Sequence, residues 1–302
     1  MPELPEVEVV RRGLETHVVG RRIDRVEVSG ARTARRQPGG PAEIVARLGG
    51  RTVSGARRRG KYLWLTLDGD HTVGADCLLV HLGMSGQMLV TDAGAPPVRH
   101  LHARAGLDDG CELRFVDQRT FGGWTVVPLA EALDGTGVLL PAPAAHIGAD
   151  PFEPGFDPLA TARTIRRRDT EVKRLLLDQT VVSGIGNIYA DEALWRSAIH
   201  GRRRSGTVTL RAVTGLLDHA RAVMADALDA GGTSFDALYV NVNGASGYFD
   251  RSLDVYGRAG RPCARCGSPV VREDFMNRGS HFCPVCQPAP RRARAARRTV
   301  VR

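Results

Sequence analysis

The 302-residue sequence predicts an α+β multidomain protein: an N-terminal helix leading into a β-sandwich or barrel, then a helical domain, then a small metal-bearing module. Three observations predict this. The length suffices for two domains with cores of their own. The apolar period turns from helical to strand-like near Arg22 and back to helical past residue 158. Four of the six cysteines fall into two Cys-x-x-Cys pairs near the C-terminus.

The chain opens MPELPEVEVVRRG. Pro5 suits a first helical turn, Val7, Val10, Leu14 and Val18 repeat at helical spacing, and Gly20 suits a stop. Glu6 and Glu8 read as helix-start acids favoured by the helix dipole, with Glu6 also near enough to shape a site. From Arg22 to about Val127, RIDRVEV, KYLWLTL, CLLVHLG, GQMLVT and CELRFVD read as short strands between Gly, Asp and Pro turns. Arg36 to Pro41 reads as a surface loop. Residues 1–133 thus form one unit, followed by a linker over 134–158 rich in Pro, Gly, Ala and Asp. Helical patterns at TIRRRDTEVKRLLLDQ, NIYADEALWRSAI and LRAVTGLLDHARAVMADALDAGG give a helical domain over 159–253. The cysteine module occupies 254–288, and the basic stretch 289–302, without apolar period, reads as a disordered tail.

No apolar run approaches the roughly 18 residues of a membrane span, and acids precede any basic-then-apolar signal order. The sequence is read as cytoplasmic. A net charge of +9 and a pI near 9.8 make nucleic acid the leading polyanionic partner, against the plainer reading of a solvated basic face. Aromatics at 5% argue against binding single strands mainly by stacking. Of 42 basic residues only Lys61 and Lys173 are lysines. Against so strong an arginine bias, a retained lysine marks a place where a compact, titratable charge differs from a guanidinium fork.

Cys77 and Cys111 stand alone in strand-like segments and read as small buried residues. Cys263, Cys266, Cys283 and Cys286 form C-A-R-C and C-P-V-C sixteen residues apart, the spacing that presents four thiolates to one structural Zn²⁺. Disulfides are the alternative, disfavoured in a cytoplasmic chain. His281 competes as a ligand, but four cysteines already close the shell. The stretch LLLDQTVVSGIGNIYADEAL passes from a helix through Ser183-Gly184-Ile185-Gly186 into a helix starting near Asn187. Glycines that admit close approach, followed by a helix N-terminus, read as a phosphate-binding turn; a plain connection between packed helices is the alternative.

Together these motifs resemble the bacterial formamidopyrimidine-DNA glycosylases, within the wider family that includes endonuclease VIII. The likeness runs through PELPEVE, GKYL, HLGMSG, DQRTFG and SGIGNIYADEAL to the paired cysteines, nearly the whole chain. It implies an N-terminal helix and β-sandwich, a helical domain with a helix–two-turn–helix, and a C-terminal zinc-finger β-hairpin, with duplex DNA bound between domains by a monomer associated with the nucleoid. It implies excision of oxidised purines, 8-oxoguanine and formamidopyrimidines, followed by β,δ-elimination.

By the same resemblance Pro2 is the nucleophile once Met1 is removed, and Glu3 the proton donor. Physical chemistry agrees. At neutral pH an α-amino group is about one-tenth unprotonated, a lysine about one part in several thousand, and a secondary amine must condense to a charged iminium. Lys61 matches the acid of β-elimination. Arg278 matches the finger arginine of δ-elimination, where a guanidinium serves better as a phosphate clamp than as an acid. Met84, Arg119 and Phe121 match the residues that fill the void of a flipped base. His100, Arg119, Arg168, Asn187 and Lys173 match phosphate contacts. Gln118 and Thr120 depart from the Pro and Arg of many relatives, which removes one charged contact. Residues 233–249 match the loop that closes over the flipped base. Two other readings remain: an endonuclease VIII-like enzyme for oxidised pyrimidines, and a DNA-binding homologue without activity.

Overall fold

The computed structural model describes residues 2–231 and 252–290. Met1, the 233–249 loop and all but two residues of the 289–302 tail lie outside the described residues.

Helix α1 (Leu4–His17) is followed by β1 (Ile23–Val28), α2 (Gly40–Leu48), β2 (Val53–Arg59), β3 (Tyr62–Leu67), β4 (Asp76–His81), β5 (Gly86–Asp92), β6 (Leu101–Leu107), β7 (Cys111–Asp117), β8 (Gly123–Glu131) and β9 (Leu139–Pro141). The strands form two antiparallel sheets, β1-β6-β7-β5 and β2-β3-β4-β8-β9. Alternate residues of both sheets, among them Val26, Phe115, Leu65 and Val126, share one core with Val7, Val10 and Leu14 of α1, as a sandwich requires. The second sheet is also covered on its other face, where Trp64, Cys77 and Leu79 meet Leu140 and Ile147. Strand β9 falls within the stretch read as a linker and pairs with β8. Helix α2 lies where the sequence reads as loop and strands: its apolar pair Ile44 and Leu48 is too sparse to announce a helix beside Gly39 and Gly40. Cys77 is buried, whereas Cys111 is only half-buried.

The helical domain comprises α3 (Pro158–Arg167), α4 (Val172–Leu177), α5 (Asn187–Arg196) and α6 (Leu210–Asp229). Asp157 accepts from Leu159 N and Ala160 N at 2.8 and 2.9 Å and caps α3, with Pro158 in its first turn. The run TIRRRDTEVKRLLLDQ, periodic as one helix, is broken at Asp169, whose φ of 37° leaves the helical region. This core contains Leu4, from the very start of the chain. Hairpin β10 (Val271–Phe275) and β11 (Arg278–Phe282) completes the described fold. Met276 and Asn277, both at positive φ, form its two-residue turn.

Candidate active site and nucleic-acid interface

The first residues of the chain are fixed from several sides. Leu4 N donates to Gly184 O at 3.1 Å, and Glu3 N donates to Glu6 Oε2 at 2.8 Å. The Glu3 carboxylate sits at the N-terminus of α5 and accepts from Ile188 N and Tyr189 N at 3.0 and 3.4 Å. These are the N–H groups that the glycine-turn reading offered to a phosphate; the chain's own acid occupies them. A Cβ on Gly186 would lie 2.2 Å from Glu3 Cδ, and one on Gly184 2.5 Å from Leu4 Cδ1. The glycines of SGIG therefore admit the N-terminal segment.

Pro2, Lys61, Tyr62, His81, Gln179 and Arg278 line one cavity of about 200 Å³ between the domains. Lys61 follows the β2–β3 turn at Gly60, where φ is 55° and a Cβ would press within 2.6 Å of Ser183 Cβ. Gly60 N donates to Asp150 Oδ2 at 2.9 Å, and Lys61 Nζ donates to Ile185 O at 2.9 Å. Burial pushes the Glu3 pKa up, opposed by the Lys61 charge. Burial pushes Lys61 down, opposed by Glu3 and reinforced by Arg278. The two groups are thus drawn toward each other in proton affinity: a carboxyl able to keep a proton beside an amine able to release one.

Glu6 and Glu8 are more than helix-start acids. Both are buried, and Tyr189 OH donates to Glu6 Oε1 at 2.8 Å. Burial would raise Glu8, but hydrogen bonds from Arg11 and Arg58 prevail and hold it at about 2. Arg58 also meets Asp150 at 2.7 Å. Asp150 therefore ties Glu8, Arg58 and the Gly60-Lys61 turn into one buried network, on no sequence signal beyond an acid in a Pro-rich stretch.

Met84 and the 119–121 turn are brought together by Asp117, which is fully buried. It accepts from Ser85 Oγ, from Arg119 N at 3.2 Å and from Gly122 N at 2.7 Å. Gly83, at φ 63°, leaves room for this: its Cβ would lie 2.6 Å from Gly122 N. Met84 is half-buried, Phe121 is 47% exposed, and the Arg119 guanidinium lies 5.4 Å from the Phe121 ring centroid. A large apolar ring left in solvent beside a cation suits a wedge better than a core residue.

His100 lies just before β6 at φ 64°, accepting from Asp117 N at 3.0 Å. Arg168, exposed at the end of α3, meets Asp178 at 2.7 Å. Asn187 Nδ2 donates to Gly279 O at 2.8 Å, and its buried Oδ1 has no partner among the described residues. Lys173 is placed elsewhere: fully buried, with Nζ 2.5 Å from Asp191 Oδ1, it does not reach the surface to touch a phosphate. The lysine reading rested on residue type, and a compact ammonium also fits a buried ion pair.

Asp191 and Glu192, adjacent buried acids on α5, hold the finger. Asp191 accepts from Ser280 Oγ at 3.1 Å and His281 N at 2.8 Å. Glu192 accepts from Asp254 N, Val255 N and Tyr256 N at 3.0, 2.9 and 2.8 Å. This docking carries Arg278 to the cavity. The sulfurs of Cys263, Cys266, Cys283 and Cys286 all lie within 4.8 Å of one another. Four thiolates at a Zn–S distance of about 2.3 Å stand about 3.8 Å apart, so they fit one structural zinc ion. Trp195 Nε1 donates to Cys263 Sγ at 3.3 Å, an outer contact that orients the ligand.

A sandwich and a helical domain enclosing Pro2, with a four-cysteine finger reaching the same cavity, define a zinc-finger protein with a helix–two-turn–helix and a cleft between its domains. The models of the formamidopyrimidine-DNA glycosylase N-terminal domain, the formamidopyrimidine-DNA glycosylase H2TH domain and the zinc finger found in FPG and IleRS match residues 1–124, 147–238 and 260–289. The chain belongs to the formamidopyrimidine-DNA glycosylase family. It is 61% identical over 296 residues to the formamidopyrimidine-DNA glycosylase of Nocardia farcinica, covering 97% of this chain and 100% of that one. Two solved structures superpose at a TM-score of 0.81 with 32% identity, each covering 95% of this chain and 100% of its own. One is a Lactococcus lactis FPG variant with Fapy-dG containing DNA, the other MutM with carbocyclic 8-oxo-G containing DNA.

Proposed function

We propose that this chain is a bifunctional DNA glycosylase and AP lyase of base excision repair, removing 8-oxoguanine and formamidopyrimidines from duplex DNA. The observation that carries the reading is the joint lining of one cavity by Pro2, Lys61 and Arg278, with Glu3 buried beside them, in a chain that matches the family from end to end. The Pro2 nitrogen attacks C1′ and the glycosidic bond breaks, the base leaving with the bonding electrons. Protonated Glu3 delivers its proton to the ring oxygen, the sugar opens, and an iminium forms on Pro2. That cation draws electrons from C2′ as its proton departs. The 3′ C–O bond then breaks, Lys61 protonating the leaving phosphate oxygen, for which a depressed pKa makes it the stronger acid. Arg278 clamps phosphate for the following elimination. Met84, Arg119 and Phe121 fill the void, His100, Arg119, Arg168 and Asn187 meet phosphates, and Lys173 pairs with the Asp191 that holds the finger. Chromosomal DNA as substrate makes the nucleoid its site of action; no described helix is long and apolar enough to cross a membrane.

Borohydride trapping across lesions tests this. Wild type should give a covalent adduct with 8-oxoguanine opposite cytosine, with Pro2 as the cross-linked residue by mass spectrometry of the digested adduct. A preference for thymine glycol would transfer the assignment to the pyrimidine enzymes, and a cross-link at any other residue would remove Pro2 as nucleophile.

A further inference from the structure

Residues 30–39, between β1 and α2, are laced to the turn that carries Phe121. Thr33 O accepts from Trp124 N at 3.1 Å, and Gln37 Oε1 accepts from Val126 N at 2.8 Å. A Cβ on Gly123 would come within 2.3 Å of Thr33 O, so the two segments touch backbone to backbone. Thr33, Ala34 and Gln37 are buried, whereas Arg32, Arg35 and Arg36 project outward, exposed. The Arg35 guanidinium donates to two successive carbonyls of the wedge turn, Thr120 O at 2.8 Å and Phe121 O. Arg32 Nη1 donates to Thr120 Oγ1 at 3.3 Å. Thr120 has φ 54°, a left-handed conformation unfavourable for a β-branched residue, which persists only where its surroundings fix it. None of the three arginines forms an ion pair among the described residues. The charges of Arg36 and Arg35 reach His81 in the cavity, which burial and these neighbours push down to about 4. The loop thus borders the proposed DNA-binding cleft with its positive charge unspent.

We propose that Arg35 is a positioning residue for the 119–121 wedge turn, and that Arg32, Arg35 and Arg36 make this loop a further phosphate-binding edge of the DNA interface. The inference rests on the reading of Phe121 as the residue that enters the duplex. Arg35 acts on that step by fixing the Thr120 and Phe121 carbonyls, hence the direction in which the ring leaves the backbone. A planar fork can hold two adjacent carbonyls at once, which a lysine ammonium matches poorly.

The test compares Arg35→Ala, Arg35→Lys, Phe121→Ala and the Arg35→Ala/Phe121→Ala pair on duplex containing 8-oxoguanine opposite cytosine. Arg35→Ala and Phe121→Ala should each lower kcat/KM about tenfold, and the pair should fall less than about twofold below Phe121→Ala alone, because both changes remove one function. Arg35→Lys should lose kcat/KM like Arg35→Ala yet keep the wild-type salt dependence on undamaged duplex. Arg32→Ala and Arg36→Ala should each reduce the slope of log Kobs against log[salt] by about 0.9. Multiplicative losses in the pair, or full activity in Arg35→Ala, would overturn the positioning role. Unchanged slopes in both Arg32→Ala and Arg36→Ala would overturn the phosphate edge. Wild-type activity in Phe121→Ala, or a wild type inert on 8-oxoguanine, would instead overturn the underlying reading.

Discussion

Two acids of the first helical turns illustrate how burial decides the sign of a charge's contribution. Glu3 has its pKa raised, so the folded state binds its proton more tightly than the unfolded state; its contribution to stability is present at low pH and is lost as pH rises past about 4.5 through the folded value. Excision should decline over the same window if protonated Glu3 is the donor. Glu3→Gln should reduce 8-oxoguanine excision by about 10²–10⁴-fold while flattening that part of the stability–pH curve, read by urea denaturation at several pH values. Glu8 behaves oppositely: held at about 2, its contribution is present above the ordinary carboxylate range and is lost as pH falls from about 4.5 towards 2. Glu8→Gln should destabilise the fold by about 1 kcal/mol at pH 7, after allowance for solvent screening, with the difference closing near pH 2. Pro2, Glu3 and Lys61 were singled out by the family motifs, and the chemistry of an α-amine and of a lone titratable lysine agreed with that choice. The sequence hid Asp150, Asp191 and Glu192, whose importance lies in distant backbone N–H groups and basic side chains that no local pattern announces.

At the scale of elements, α5 receives Glu3 at its N-terminus and the finger along its flank. Gly186→Ala places a Cβ where Glu3 Cδ already sits, so one small methyl should displace the acid. The expected outcome is loss of excision by at least about 100-fold with the helical circular-dichroism signal retained. Normal activity would show that Glu3 tolerates the shift. The strands and the long helices α1 and α6 were readable from apolar period and stop signals. The break between α3 and α4 was not, since it depends on one aspartate at positive φ and on an isolated pairing of Glu171 with Arg204. Nor was the β10–β11 turn, built on Met-Asn where Asn-Gly is the usual mark.

For the whole molecule, the sandwich core and the finger core have no residue in common. Strong chelation of zinc should therefore abolish DNA binding while the amides of β4 and β8 keep their protection from hydrogen exchange. Simultaneous loss of both would contradict separate modules. The net charge of +9 makes binding of undamaged duplex fall steeply with salt, and a flat response would show that the basic surface does not set affinity. The modular order could be read from the sequence because each module has its own period or ligand spacing. Their convergence on one cavity was expected from the family resemblance alone, since no local pattern joins residue 2 to residues 61 and 278.

That convergence sets a timetable. Pro2 leaves the ribosome well before Gly184, Ile188 and Arg278, which complete its surroundings and emerge some 180 to 280 residues later. At about 5–20 residues per second the N-terminus stays open for roughly ten seconds or more. A truncation ahead of residue 278 should therefore leave Pro2 in a cavity that lacks the arginine on its far wall.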